Sequence, residues 1–176
     1  MGEINNNLWA PWRMKYIAGL ADDDDGDCFL CRYRDTPADD VPNRVLWRSE
    51  RTLTLLNRFP YTSGHLLIAP TVHCGSPEET PDDVWVEAIL RVRDAVRVLQ
   101  KALGPEGFNL GMNLARCAGA GLPDHVHWHV VPRWSGDTNF MTVTGETRVI
   151  PEDPDATYRN LLAAAAALGL PSVGEQ

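Results

Sequence analysis

The run His125-Val126-His127-Trp128-His129-Val130-Val131-Pro132-Arg133 holds three of the chain's five histidines at alternate positions. Alternate side chains of a strand share a face, so His125, His127 and His129 point one way and Val126, Trp128 and Val130 the other. Imidazoles crowded on one face repel when charged, so the pattern costs stability unless it serves chemistry. Two uses suit it: three ligands to one metal ion, or one imidazole attacking phosphorus while a neighbour orients it. Same-face neighbours on a flat strand sit roughly 6.5–7 Å apart at the backbone. That spacing is awkward for three ligands meeting on one ion at about 2.1 Å. The strand geometry favours the nucleophile.

Cys28 and Cys31 form a Cys-x-x-Cys pair, and Cys74 and Cys117 complete the four cysteines. The pair reads as half a metal site, a redox dithiol or two unrelated buried thiols; Cys74 and Cys117 read as packing residues. Disulfides are not expected in a cytoplasmic chain, which is the location this sequence predicts. No stretch is long and apolar enough for a membrane span, and the first residues lack the basic start and apolar run of a signal peptide. With 16 Lys+Arg against 24 Asp+Glu the net charge is -8, which argues against broad nucleic-acid binding. A small phosphorylated ligand needs only a local site and stays open.

The 176 residues suit one domain. Residues 1–27 read as an aromatic arm (Trp9, Trp12, Tyr16) followed by the acidic run Asp22 to Asp25. Residues 28–140 read as the core and 141–176 as a C-terminal extension. Strands are expected at Arg44 to Ser49, Thr52 to Asn57, His65 to Ala69, Phe108 to Asn113 and His125 to Arg133. A long helix should start after Thr80 as cap, with Pro81 at its first position, and stop at Gly104-Pro105. Its core stripe is Val84, Trp85, Ala88, Ile89, Val92, Val96, Leu99 and Leu103. A second, alanine-rich helix is expected at Tyr158 to Leu168. Short connections between most strands predict an α+β fold with an antiparallel sheet of about five strands.

The triad and its flanks resemble the histidine-triad superfamily, whose mark is His-x-His-x-His followed by two apolar residues. Asn57-Arg58-Phe59-Pro60 and Gly64-His65-Leu66-Leu67-Ile68-Ala69-Pro70 are similar to the family's nucleoside-binding strand and loop. Leu8-Trp9-Ala10-Pro11-Trp12-Arg13 and Pro132-Arg133-Trp134-Ser135-Gly136-Asp137-Thr138-Asn139-Phe140 resemble the branch of bacterial diadenosine tetraphosphate phosphorylases.

The resemblance implies a role for each matching residue. His127 would be the nucleophile, His129 would bond phosphate oxygens, and Asn113 and the amides of Gly119, Ala120 and Gly121 would hold phosphate. Asn57 would meet the ribose hydroxyls. Cys28, Cys31, His73 and His125 would form a structural zinc site like that of galactose-1-phosphate uridylyltransferases. The implied activity is nucleotidyl transfer through a nucleotidyl-histidine, with phosphorolysis of dinucleoside polyphosphates leading. The alternatives are a hydrolase of dinucleoside polyphosphates or nucleoside phosphoramidates, and a non-catalytic nucleotide sensor. Gly121 stands where relatives carry Gln or Ser, which leaves the acceptor open among phosphate, water and another phosphorylated molecule. A homodimer is implied too, with Trp85 and the arm as docking material.

Overall fold

Five short segments rich in β-branched and aliphatic residues pair into one sheet, in the order β1-β2-β3-β5-β4. The strands are β1 Val45–Arg48, β2 Thr52–Leu56, β3 Leu66–Pro70, β4 Gly107–Gly111 and β5 Trp128–Arg133. Every pairing is antiparallel, as expected. The computed structural model describes residues 28–137, 150 and 152–171; the aromatic arm, the acidic run and Thr138 to Phe140 lie outside these.

Among the described residues three α-helices flank the sheet: α1 Phe29–Asp35, α2 Asp82–Leu103 and α3 Pro154–Ala167. Helix α1 was not expected. Seven residues with no long apolar period give a weak local signal, and its burial of Leu30 against Val45, Leu53, Leu55, Leu67 and Ala69 is what holds it. Helix α2 ends as predicted, with Gly104 left-handed at φ 56. Its start differs: Thr80 closes a preceding 3-10 turn and Pro81 precedes the first helical residue, so Thr80 does not cap. Helix α3 starts earlier than expected, because Asp153 accepts from the Asp155 and Ala156 amides and Pro154 fits the first position.

Most of the expected α2 stripe faces the core, with Val96 and Leu103 partly buried against it. Val84, Ala88, Val92, Ala95, Val98 and Leu99 are buried, whereas Ile89 faces outward with Val86 and Leu90. Of the buried set, Ala88, Val92, Ala95, Val98 and Leu99 pack with Leu56, Leu66, Ile68 and Val130, and Tyr158, Leu161, Ala164 and Ala165 of α3 join them. Glu87 of α2 ties the helix to the β1–β2 turn by accepting from Ser49 and Thr52.

Gly64, at the turn into β3, has φ +79 and lies so close to α2 that a Cβ would sit 2.5 Å from Leu103 Cδ1. Glycine is required there both for conformation and for room. The β3 alternation sends Leu66 and Ile68 to α2 and Leu67 and Ala69 to α1. His129 pairs with Leu67 and with Gly111, which sets it on the sheet face away from α2.

Candidate active site and metal centre

The three triad histidines do not lie on one ladder. Strand β5 begins at Trp128, so His129 alone of the three is paired in the sheet. Strand β3 runs on to Pro70, but its pairing with β5 ends at Ile68 and Trp128, and the incoming chain bonds other groups instead. The Val126 amide donates to the Cys74 carbonyl at 2.7 Å, and His125 Nε2 donates to the Pro70 carbonyl at 2.8 Å. The imidazoles then divide between two sites: His125 turns to the cysteines, while His127 and His129 meet edge to face at 4.9 Å.

His127 is buried, and its Nδ1 donates to the His125 carbonyl at 2.8 Å. A carbonyl only accepts, so the proton of the neutral ring is on Nδ1 and Nε2 keeps its lone pair. Burial lowers the His127 pKa, which favours that neutral form. An unprotonated nitrogen held in one orientation can act as a nucleophile. His129 Nδ1 is 3.0 Å from His65 Nε2, and the Asn113 amide ends 3.4 Å from His129 Nε2. Burial first, then the neighbouring His127, pushes His129 down to about 4.

His65 is the residue that sequence reasoning missed. It was read as the start of a strand, yet its side chain is fully buried beside His129 and is pushed down to about 3, chiefly by burial. The Tyr61 ring lies over both, 4.5 Å from His65 and 5.8 Å from His129. The available signal was parity: His65 shares the face of Leu67, and Leu67 is the register partner of His129.

Asn57 is wired into the same loop. Its Oδ1 accepts from the Phe59 amide at 3.0 Å and its Nδ2 lies 3.1 Å from His65 Nδ1. In the glycine loop Ala115 adopts φ 63, ψ 164, a region that glycine normally occupies and that costs other residues about 1–3 kcal/mol. The loop then closes on itself: Gly119 N donates to Arg116 O at 3.0 Å and Ala120 N to Ala115 O at 3.3 Å. An anion seeking those two amides competes with carbonyls already bonded to them. Gly121 is exposed, and so is Cys117, which corrects its reading as a packing residue; Cys74 is buried as expected.

The second cluster brings together Cys28, Cys31, His73 and His125, with one ligand atom from each within 4.8 Å of all the others. Cys28 Sγ lies 3.1 Å from His125 Nδ1, and Cys31 Sγ lies 3.3 Å from His73 Nδ1. A tetrahedral ion with ordinary Zn–S and Zn–N bonds needs S···N edges of about 3.5 Å. The fit is close, and the donor set suits a tetrahedral metal. His125 carries its proton on Nε2, toward Pro70, so Nδ1 is the bare nitrogen a metal requires. Burial, with the neighbouring Cys31, pushes the Cys28 thiol up to about 11. Arg34 of α1 donates to the Thr71 carbonyl at 2.8 Å and braces the helix against the loop that carries His73.

Three comparisons place this geometry. The HIT domain pattern matches residues 38–136, more than half of the chain. An AP-4-A phosphorylase of Mycobacterium tuberculosis is 36% identical over 149 residues, covering 82% of this chain and 76% of that protein. An adenosine 5'-monophosphoramidase of Schizosaccharomyces pombe is 30% identical over 106 residues, 60% of this chain and 74% of that one. Among solved structures, a Zn-bound histidine triad family protein from Mycobacterium smegmatis superimposes with a TM-score of 0.66 at 28% identity, covering 81% of this chain and 96% of that chain. Sequence pattern, sheet order and the position of the histidines agree: the chain belongs to the HIT domain, or histidine-triad, family.

Proposed function

We propose that the protein is a nucleotidyl-transferring enzyme whose leading reaction is phosphorolysis of dinucleoside polyphosphates such as diadenosine tetraphosphate. The observation that carries this reading is the 2.8 Å bond from His127 Nδ1 to the His125 carbonyl, which leaves Nε2 bare. In the first step His127 Nε2 attacks an α-phosphorus, a P–N bond forms, and the P–O bond to the departing nucleoside polyphosphate breaks with its electrons. In the second step a phosphate oxygen attacks the same phosphorus, the P–N bond breaks, and a nucleoside diphosphate leaves. His129 and Asn113 donate to the phosphate oxygens, Asn57 meets the ribose, and the Gly119, Ala120 and Gly121 amides hold the anion once their loop opens. The likeness to an AP-4-A phosphorylase over most of the chain supports the substrate class.

Cys28, Cys31, His73 and His125 would hold zinc. The ion would supply a cross-link rather than reaction chemistry, since all four donors come from the chain and leave no open position. The four cysteines are free, in keeping with a cytoplasmic enzyme. Strand β4 is a sheet edge with Leu110 exposed, and α2 presents Val86, Ile89 and Leu90 outward. These surfaces support a homodimer.

A hydrolytic reading differs only in the acceptor, and Gly121, which offers no side chain to phosphate, leaves water open beside phosphate. Product analysis separates the readings. Incubation with diadenosine tetraphosphate and inorganic phosphate should give ADP with ATP, and intact mass should show an adenylyl adduct. His127→Ala should lower turnover by at least about 1000-fold, with the fold retained by circular dichroism. AMP in place of ADP would select water as acceptor. Binding without turnover would select the sensor.

A further inference from the structure

His129 receives its proton pattern from outside the triad. The Tyr61 main-chain amide donates to His65 Nδ1 at 3.1 Å, and the Asn57 side-chain amide lies 3.1 Å from the same atom. A main-chain N–H can only donate, so His65 Nδ1 is bare and the neutral ring carries its proton on Nε2. That proton points at His129 Nδ1, 3.0 Å away. His129 Nδ1 therefore accepts, and its own proton is on Nε2. There it faces the Asn113 amide, whose Nδ2 is a second donor 3.4 Å away. An anionic oxygen placed between these two N–H groups would accept from both.

We propose that His65 is a positioning residue which, through the Tyr61 amide, locks His129 in the tautomer that donates from Nε2 into the site. This rests on the reading of His129 as the phosphate donor given above. The chain of bonds runs Tyr61 N–H to His65 Nδ1, then His65 Nε2–H to His129 Nδ1, and each link is fixed by the one before. The Tyr61 ring over both imidazoles keeps their planes in place. Without His65, the His129 Nδ1 would take a proton in part of the molecules, and Nε2 would then offer a lone pair to a phosphate oxygen, which repels it.

The test uses the full chain with isotopically labelled histidine nitrogens, His65→Leu and His65→Gln variants, and long-range proton–nitrogen correlation spectra without substrate. In the wild type both His65 and His129 should carry their proton on Nε2. In His65→Leu the His129 nitrogens should shift toward the other tautomer, and kcat on diadenosine tetraphosphate with phosphate should fall roughly 10- to 100-fold, the loss of one charge-assisted hydrogen bond. Glutamine still reaches His129 with an N–H, so His65→Gln should recover the spectrum and most of the lost rate. A wild-type His129 protonated at Nδ1 overturns the proposal, and so does a folded His65→Leu variant that turns over at the wild-type rate. If His65→Leu fails to fold, the wild-type and His65→Gln spectra decide. A wild type that shows the expected spectrum but no turnover would count against the proposed function and leave the tautomer lock standing.

Discussion

Each histidine in the site is told apart by what its second nitrogen meets. His125 gives its Nε2 proton to Pro70, His127 gives its Nδ1 proton to a carbonyl, and His65 receives a main-chain donor at Nδ1. These partners are near neutral imidazoles, and burial lowers the pKa of each. A consequence follows for stability. The His65 and His129 pKa values lie below the ordinary 6.5, at about 3 and about 4. Between about 6.5 and about 4 the unfolded chain binds protons at these two positions that the folded chain does not. Stability is therefore complete above the unfolded value and is lost as pH falls through that window. The slope is about 1.4 kcal/mol per pH unit for each proton withheld. Urea unfolding should show a clearly lower midpoint at pH 5 than at pH 7; equal midpoints would refute the neutral-burial account.

Among the elements, α2 and the turn into β3 set how the site is framed. The period of α2 was legible in its sequence, as was its stop at Gly104. The phase of its buried stripe was legible too, but its margin was not, because Ile89 and Val92 look alike until a sheet is placed beneath them. Asp94 makes the same point: it is buried on α2, with the guanidiniums of Arg91, Arg93 and Arg97 within 3.2–3.4 Å. Gly64 connects the helix to the site, since it precedes His65 and touches Leu99 and Leu103 of α2 in its left-handed turn. Gly64→Ala should destabilise the protein by about 1–3 kcal/mol through overpacking and backbone strain. Chemical denaturation measures this, and a change below about 0.5 kcal/mol, the range of ordinary surface substitutions, would show that α2 yields without cost.

Across the whole molecule, the cluster of Cys28, Cys31, His73 and His125 joins segments far apart in the chain. His125 belongs to it through its ring while its carbonyl accepts from His127 Nδ1. His73→Ala should lower bound zinc from near one per chain and reduce the melting temperature by several degrees, given that structural zinc contributes directly to folding. Elemental analysis of gently purified protein checks the first part, and wild type without zinc would remove the metal assignment. The proposed homodimer is tested at the β4 edge. Leu110→Asp should shift the sedimentation coefficient from dimer to monomer, because an unpaired carboxylate cannot be buried in an apolar interface. A wild type that already sediments as a monomer would end that reading. Trp85, read both as part of the core stripe and as docking material, is half-buried with its ring 5.9 Å from that of Trp128.

By itself the sequence determined the α+β class, the antiparallel strands, the long helix and the His-x-His-x-His motif that marks the family. These follow from local periodicity, from short connections and from a compact motif, none of which needs a distant partner. The resemblance already groups His125 with Cys28, Cys31 and His73, and the structure brings the four together. The tertiary structure alone decided that Asn57 and Tyr61 hold His65, and that His65 faces His129. It also decided that the Gly119 and Ala120 amides start out bonded within their own loop. Each of these depends on sheet register and on the path of loops between elements. A proton's place on an imidazole is set by the atom opposite, and that atom can come from more than sixty residues away along the chain.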